Sequence, residues 1–133
     1  TPRPAPAPLA PHAAPRKAAA GAPASQASLL AQARRQADQG DFQGAAASCA
    51  ALLAADAASA EAYFILGMVK ECEQDPAQAE LHWRRCIYLQ PDHYEALCHL
   101  ALLAEQGGHA SSARAFKQRA ARVYERQQGG GAQ

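Results

Sequence analysis

Beyond residue 23 this chain has almost no proline. Seven of its nine prolines lie in the first 23 residues, and only Pro76 and Pro91 follow. Nothing there forbids long helical runs, because proline is the residue that breaks them. Long hydrophobic stretches are also missing. AAASCAALLAA at 45–55 is interrupted by Ser48, and a membrane-spanning helix needs about 20 apolar residues. The N-terminus has no continuous apolar core of a signal peptide. It also lacks an initiating Met, so we expect a fragment or a processed chain. GxSxG, HExxH and CxxC are absent, and Gly129–Gly131 has no helix after it to cradle a phosphate. The four cysteines (Cys49, Cys72, Cys86, Cys98) form no paired motif. That spacing argues against a disulfide scaffold and for a reducing cytoplasm. Neither catalysis nor a bound cofactor is expected.

Charge is unevenly placed beneath a net of +1. Residues 1–25 carry Arg3, Arg16 and Lys17 and no acid. The segment 110–127 carries Arg114, Lys117, Arg119, Arg122 and Arg126 against Glu125, while the middle is acidic. An acidic centre excludes a nucleic-acid footprint. Residues 1–24 are built from Pro and Ala, which cannot bury enough surface to offset ordering entropy. They read as a disordered, semi-stiff linker. An SH3-type ligand is the weaker alternative, since the basic residues do not flank a PxxP core regularly.

What the chain does have is a repeat. AEAYFILGMVKECEQDPAQAELHWRRCIYLQP at 60–91 reads as two amphipathic helices around Gln74-Asp75-Pro76. Asp75 is placed to cap the second helix and Pro76 to open it. Units of the same length start at Gln26 and Tyr94, giving a period of 34 residues. Ala33, Gly67 and Ala101 recur in step, as do Ala45, Ala79 and Ala113, and Leu29, Tyr63 and Leu97. Small residues at fixed points let paired helices approach closely. Expected helices are 26–39, 42–55, 60–73, 76–89, 93–106 and 110–127, with order ending at Gly129–Gly131. Ser59 and Asp92 are expected as N-caps, Asp92 with Glu95 at capping-box spacing.

Tyr63, Leu66, Gly67, Ala79, Trp83 and Pro91 fall on the signature positions of the tetratricopeptide repeat (TPR), which this sequence resembles. The outer units depart from it. Ala57 replaces the closing proline of the first, and the third has Phe116 one position early with Lys117 in the aromatic slot. The resemblance implies an all-α fold, three tandem TPR units over 25–127 (about 26–59, 60–93 and 94–127) in a short right-handed α-solenoid. A disordered linker at 1–24 and a tail at 128–133 complete the expectation.

It also implies a groove lined by the first helix of each unit. Carried over position by position, the groove residues are Leu30, Arg34 and Asp38; Glu61, Phe64, Met68 and Glu71; and Glu95, Cys98, Leu102 and Glu105. The implied floor is Leu30, Phe64, Met68 and Leu102, flanked by glutamates, which suits a basic amphipathic peptide. Phe64 and Met68 have a second reading as side chains packed between helices. A C-terminal carboxylate ligand is disfavoured, because only Arg34 is basic there. The histidines and cysteines have no convincing metal-ligand spacing. In the last helix, Ala113, Phe116, Ala120, Val123 and Tyr124 form a stripe with no capping helix after it. That stripe either packs on its own unit or is open to self-association. Its Ala-rich face makes membrane binding unfavourable.

The run RRCIYLQPDHYEALCHLALLAEQGGHASSARAFKQRAARVYE is similar to the C-terminal TPR segment of chemotaxis-receptor methyltransferases, nearest the Wsp-type branch of biofilm pathways. That resemblance implies a non-catalytic interaction module in the bacterial cytoplasm. It would recruit or regulate an upstream S-adenosylmethionine-dependent methyltransferase of receptor glutamates. A chemoreceptor, a pathway protein or the catalytic domain would be its partner. The alternative is a free-standing adaptor or a pilus or secretion chaperone.

Overall fold

The computed structural model describes residues 25–132. The linker expected over 1–24 lies outside the described residues. Six helices occur among those described: α1 (25–38), α2 (Phe42–Ala55), α3 (Ala60–Cys72), α4 (Pro76–Leu89), α5 (Tyr94–Gln106) and α6 (Ala110–Ala132). Each odd helix folds back on the next, and α2 then packs on α3 and α4 on α5.

The same stop ends the first helix of every unit. Gly40, Gln74 and Gly108 hold positive φ values of 83°, 64° and 79°. Behind each, a backbone N–H reaches five residues back: Asp41 to Gln36 (2.8 Å), Asp75 to Lys70 (2.9 Å) and His109 to Ala104 (2.8 Å). This is the Schellman arrangement, which satisfies carbonyls that the helix leaves free. The following helices start on caps, with the Asp41 carboxylate accepting from Gly44 N–H and the Asp75 carboxylate from Gln78 N–H. Ser59 caps α3 by accepting from Ala62 N–H at 3.2 Å.

Two expected boundaries move. The N-cap of α5 is His93, not Asp92, because the His93 ring Nδ1 accepts from Ala96 N–H at 3.1 Å. The last helix continues past Arg126 to Ala132. Glycine costs a helix about 1 kcal/mol per residue but offers no steric stop, unlike proline.

The recurrent small residues occupy the helix contacts, with Ala33, Ala45, Ala79, Ala101 and Ala113 all buried. Gly67 lies under the indole of Trp83, and Trp83 Nε1–H donates to the Phe64 carbonyl at 3.1 Å. Cys49 and Cys86 are buried and all four cysteines are free thiols. Burial pushes the Cys49 thiol up to about 11. Burial does the same for Cys86, up to about 12, with the Glu61 and Glu95 charges adding to it. No helix among the described residues is long and apolar enough to cross a membrane.

A candidate partner-binding groove

One line of side chains joins the three first helices. Arg34 of α1 donates to Glu61 Oε1 of α3 at 2.6 Å and lies 3.7 Å from Glu95 Oε1 of α5. The other Glu61 oxygen is 2.7 Å from His93 Nε2. Since His93 Nδ1 already accepts a backbone N–H, the ring proton sits on Nε2, and Nε2 donates to Glu61. Both Glu61 oxygens are therefore engaged. The His93 bond first, then the Arg34 bond, hold its carboxyl down at about 2, against an opposing push from burial. For Arg34, burial opposes the charge, but the Glu61 hydrogen bond and the Glu61 and Glu95 charges outweigh it and raise its pKa.

This network covers Phe64. The Arg34 guanidinium carbon is 5.7 Å from the ring centroid, His93 packs on it at 4.9 Å, and His99 meets it edge-on at 5.5 Å. Phe64 is 0% exposed. The expectation that Phe64 forms the floor of an open groove is thus corrected: it belongs to the core, beneath a charged lid. Met68, Leu30 and Cys98 are half-buried and pack against the core cluster. Leu102, 53% exposed, is the one fully open apolar side chain of the expected floor.

Among the acids, Asp38, Glu71, Glu95 and Glu105 are all exposed; Glu95 lies 3.7 Å from Arg34, and Glu105 is paired across to Lys117 of α6. Leu30 and Glu61 also border a cleft of about 490 Å³ with Leu52, Ser59 and Leu89, at the end of the face nearest α1. The stripe on α6 packs on its own unit: Ala113, Phe116, Ala120 and Val123 are buried, and Tyr124 alone stays open. An exposed stripe for self-association is therefore not present there. Among the described residues, no cluster of three metal-ligating side chains occurs.

Sequence reasoning missed His93 and His99. His93 was legible, because it stands 34 residues after Ser59 and so in the same cap register. The stacking of His99 between Phe64 and Trp83 (4.8 Å from the latter) needs the three-dimensional packing of α3, α4 and α5.

Solved structures share this architecture. The crystal structure of MamA superposes with a TM-score of 0.69 at 19% identity, covering 77% of this chain and 60% of that one. The MamA RS-1 ArsTM double mutant gives 0.68 at 16% identity, covering 79% and 59%. The fold is a three-unit tetratricopeptide array. It is all-α and coils as a short right-handed solenoid. In sequence, the array is 40% identical over 95 residues to a probable biofilm formation methyltransferase, WspC, of Pseudomonas putida. It is 44% identical over 89 residues to the Pseudomonas aeruginosa protein of that name. These matches take in 71% and 66% of this chain but only 22% and 21% of the two proteins. The chain thus spans about a fifth of the length of those relatives. No protein-family model matches the chain.

Proposed function

We propose that the array is a cytoplasmic protein-interaction module that recruits or regulates an S-adenosylmethionine-dependent methyltransferase of chemoreceptor glutamates, lying upstream in the same protein. The chain itself performs no chemistry and holds no cofactor. The observation that carries this reading is the 40–44% identity to WspC proteins, confined to about a fifth of their length. Helices packed on one another around a shared core, with Leu81, Tyr88, Leu102 and Tyr124 left exposed, support a role in presenting surfaces.

The first-helix face is the contact surface in this reading. Exposed Asp38, Glu71 and Glu95, together with exposed Leu102 on the same set of first helices, suit a partner with basic residues flanking an apolar anchor. Glu61 is engaged internally, so it positions Arg34 and His93 and does not meet the partner's charge. Support also comes from the chain's buried Cys49 and Cys86, which fit a reducing compartment.

The deciding experiment removes the array from the full-length protein in cells. Receptor methylation or enzyme localisation falls if the reading holds; both unchanged would overturn it. Glu71→Lys with Glu95→Lys tests the face. Partner affinity drops and its salt dependence flattens, while the helical far-UV circular-dichroism spectrum is kept despite the small stability cost of losing the Glu95–Arg34 attraction.

A further inference from the structure

Two successive arginines in α4 are used in opposite ways. Arg84 pairs with Glu80 at 2.7 Å and lies over the Phe116 ring at 5.3 Å, so its charge is spent within the fold. Arg85 forms no ion pair among the described residues. Its guanidinium lies between two phenol rings, 5.9 Å from the Tyr63 centroid and 5.7 Å from that of Tyr88. Tyr63 in turn stacks on His82 at 6.2 Å.

Leu81, Arg85 and Tyr88 are spaced i, i+4 and i+7, which sets them in one stripe. The buried residues of α4 are Ala79, Trp83, Cys86 and Ile87, so this stripe faces away from the core. Leu81 is 60% exposed and Tyr88 76%. From α3, Lys70 is near enough for its charge to help lower the pKa of His82, after burial, and Lys70 is itself paired with Glu73. The stripe therefore offers an uncompensated cation held by aromatic faces, with an open aliphatic side chain at one end. Tyr and Arg are the residues that dominate binding energy where partners meet, and a carboxylate matches the arginine fork.

We propose that this outer face of the centre unit is a second docking surface, for an acidic amphipathic helix of a protein partner. A carboxylate of that helix would sit on Arg85, and its apolar side chains would lie along Leu81 and Tyr88. Charge excludes the chain's own N-terminal segment as the occupant: residues 1–24 hold Arg3, Arg16 and Lys17 and no acid. The two faces of the array then select opposite charges. This surface does not depend on the reading of the groove.

The test uses the full 133-residue chain and two labelled helical peptides on one Ala/Leu framework, bearing Glu or Lys at i, i+4 positions. Fluorescence polarisation should show saturable binding of the Glu peptide. Arg85→Glu and Tyr88→Ala should each weaken it about tenfold or more, while Glu71→Lys with Glu95→Lys should not weaken it. All these sites are exposed, and far-UV circular dichroism checks that the variants stay folded. No saturable binding, or affinities within about twofold for both α4 variants, would overturn the proposal. So would a parent-chain dimer in sedimentation that Tyr88→Ala dissociates, which would assign the face to a second copy.

Discussion

The centre unit and the last unit solve the same packing problem with different pairs. In the centre, Gly67 has no side chain and Trp83 fills the space above it, its indole N–H tied to the Phe64 carbonyl. In the last unit, Ala101 stands in the register of Gly67, and Lys117 in that of Trp83. Lys117 is exposed and paired with Glu105, and the buried aromatic is Phe116, one position earlier. One unit is flanked on both sides by others, so its aromatic is enclosed; the other ends the described stack, and a cation at the same register keeps that end wet. Small residue and large residue are chosen as a couple, and position in the array decides which couple is used.

The sharpest way to break the comparison is to truncate both registers. Trp83→Ala should cost about 3–5 kcal/mol of stability, whereas Lys117→Ala loses an exposed ion pair worth about 0.5 kcal/mol or less. Urea denaturation of both variants measures the gap; equal costs would mean the two registers are not distinct.

Gly67→Ala comes next. A Cβ there would lie 2.5 Å from Trp83 Cδ1 and 2.7 Å from Cε2, and closer still to Nε1. The indole must move and give up its buried hydrogen bond, for about 2–4 kcal/mol. Thermal unfolding should show it. Ala101→Gly, in the same register, should cost the helix propensity difference of about 1 kcal/mol and a similar amount for the lost buried methyl.

Smaller still is the charge line. Glu61 titrates at about 2 in the folded chain, below the usual carboxylate value near 4.3. A depressed folded pKa contributes stability that is present above about pH 4.3 and is lost as pH falls toward 2. With Arg34, His93 and Glu95 facing it and about a third of its side chain exposed, that contribution is about 1–2 kcal/mol after screening. Glu61→Gln should remove this part of the pH dependence, seen as a flatter urea midpoint between pH 4 and 2.5. Glu95 reaches only Arg34, at 3.7 Å, and Glu95→Gln should cost less than Glu61→Gln at neutral pH.

The smallest effect reverses sign. The centre unit stops its first helix on Gln74 at φ 64°, where the outer units use glycine. Gln74→Gly should stabilise the fold by up to about 1 kcal/mol, while Gly108→Gln should lose a similar amount. A shared direction for the two changes would mean the stops are not equivalent.

Most of this architecture was legible in the residues. The 34-residue step of Ala33, Gly67 and Ala101, with Asp41 before α2 and Asp75 before α4, places the hairpins and their turns. The site was less legible, for a physical reason. Repeat register says which way a side chain points from its own helix, not what the neighbouring helix lays over it. Phe64 points to the groove side, yet Arg34 and His93 arrive from α1 and the α5 cap to close over it. Glu61 looked like a free acid for the same reason, since its partners lie 27 and 32 residues away.

The length of α6 has a mechanical consequence. At about 1.5 Å per residue, its 23 residues extend about 34 Å, against about 20 Å for the 13 residues of α5. The Tyr94–Tyr124 ring pair, 6.0 Å apart, marks where α5 begins and its support ends. Beyond it residues 125–129 are all exposed, and glycine is a poor helix former. Amide hydrogens past Arg126 should exchange within seconds while those of Ala113–Ala120 stay protected. The exposed stretch past Arg126 is also the natural place to attach a label or tether.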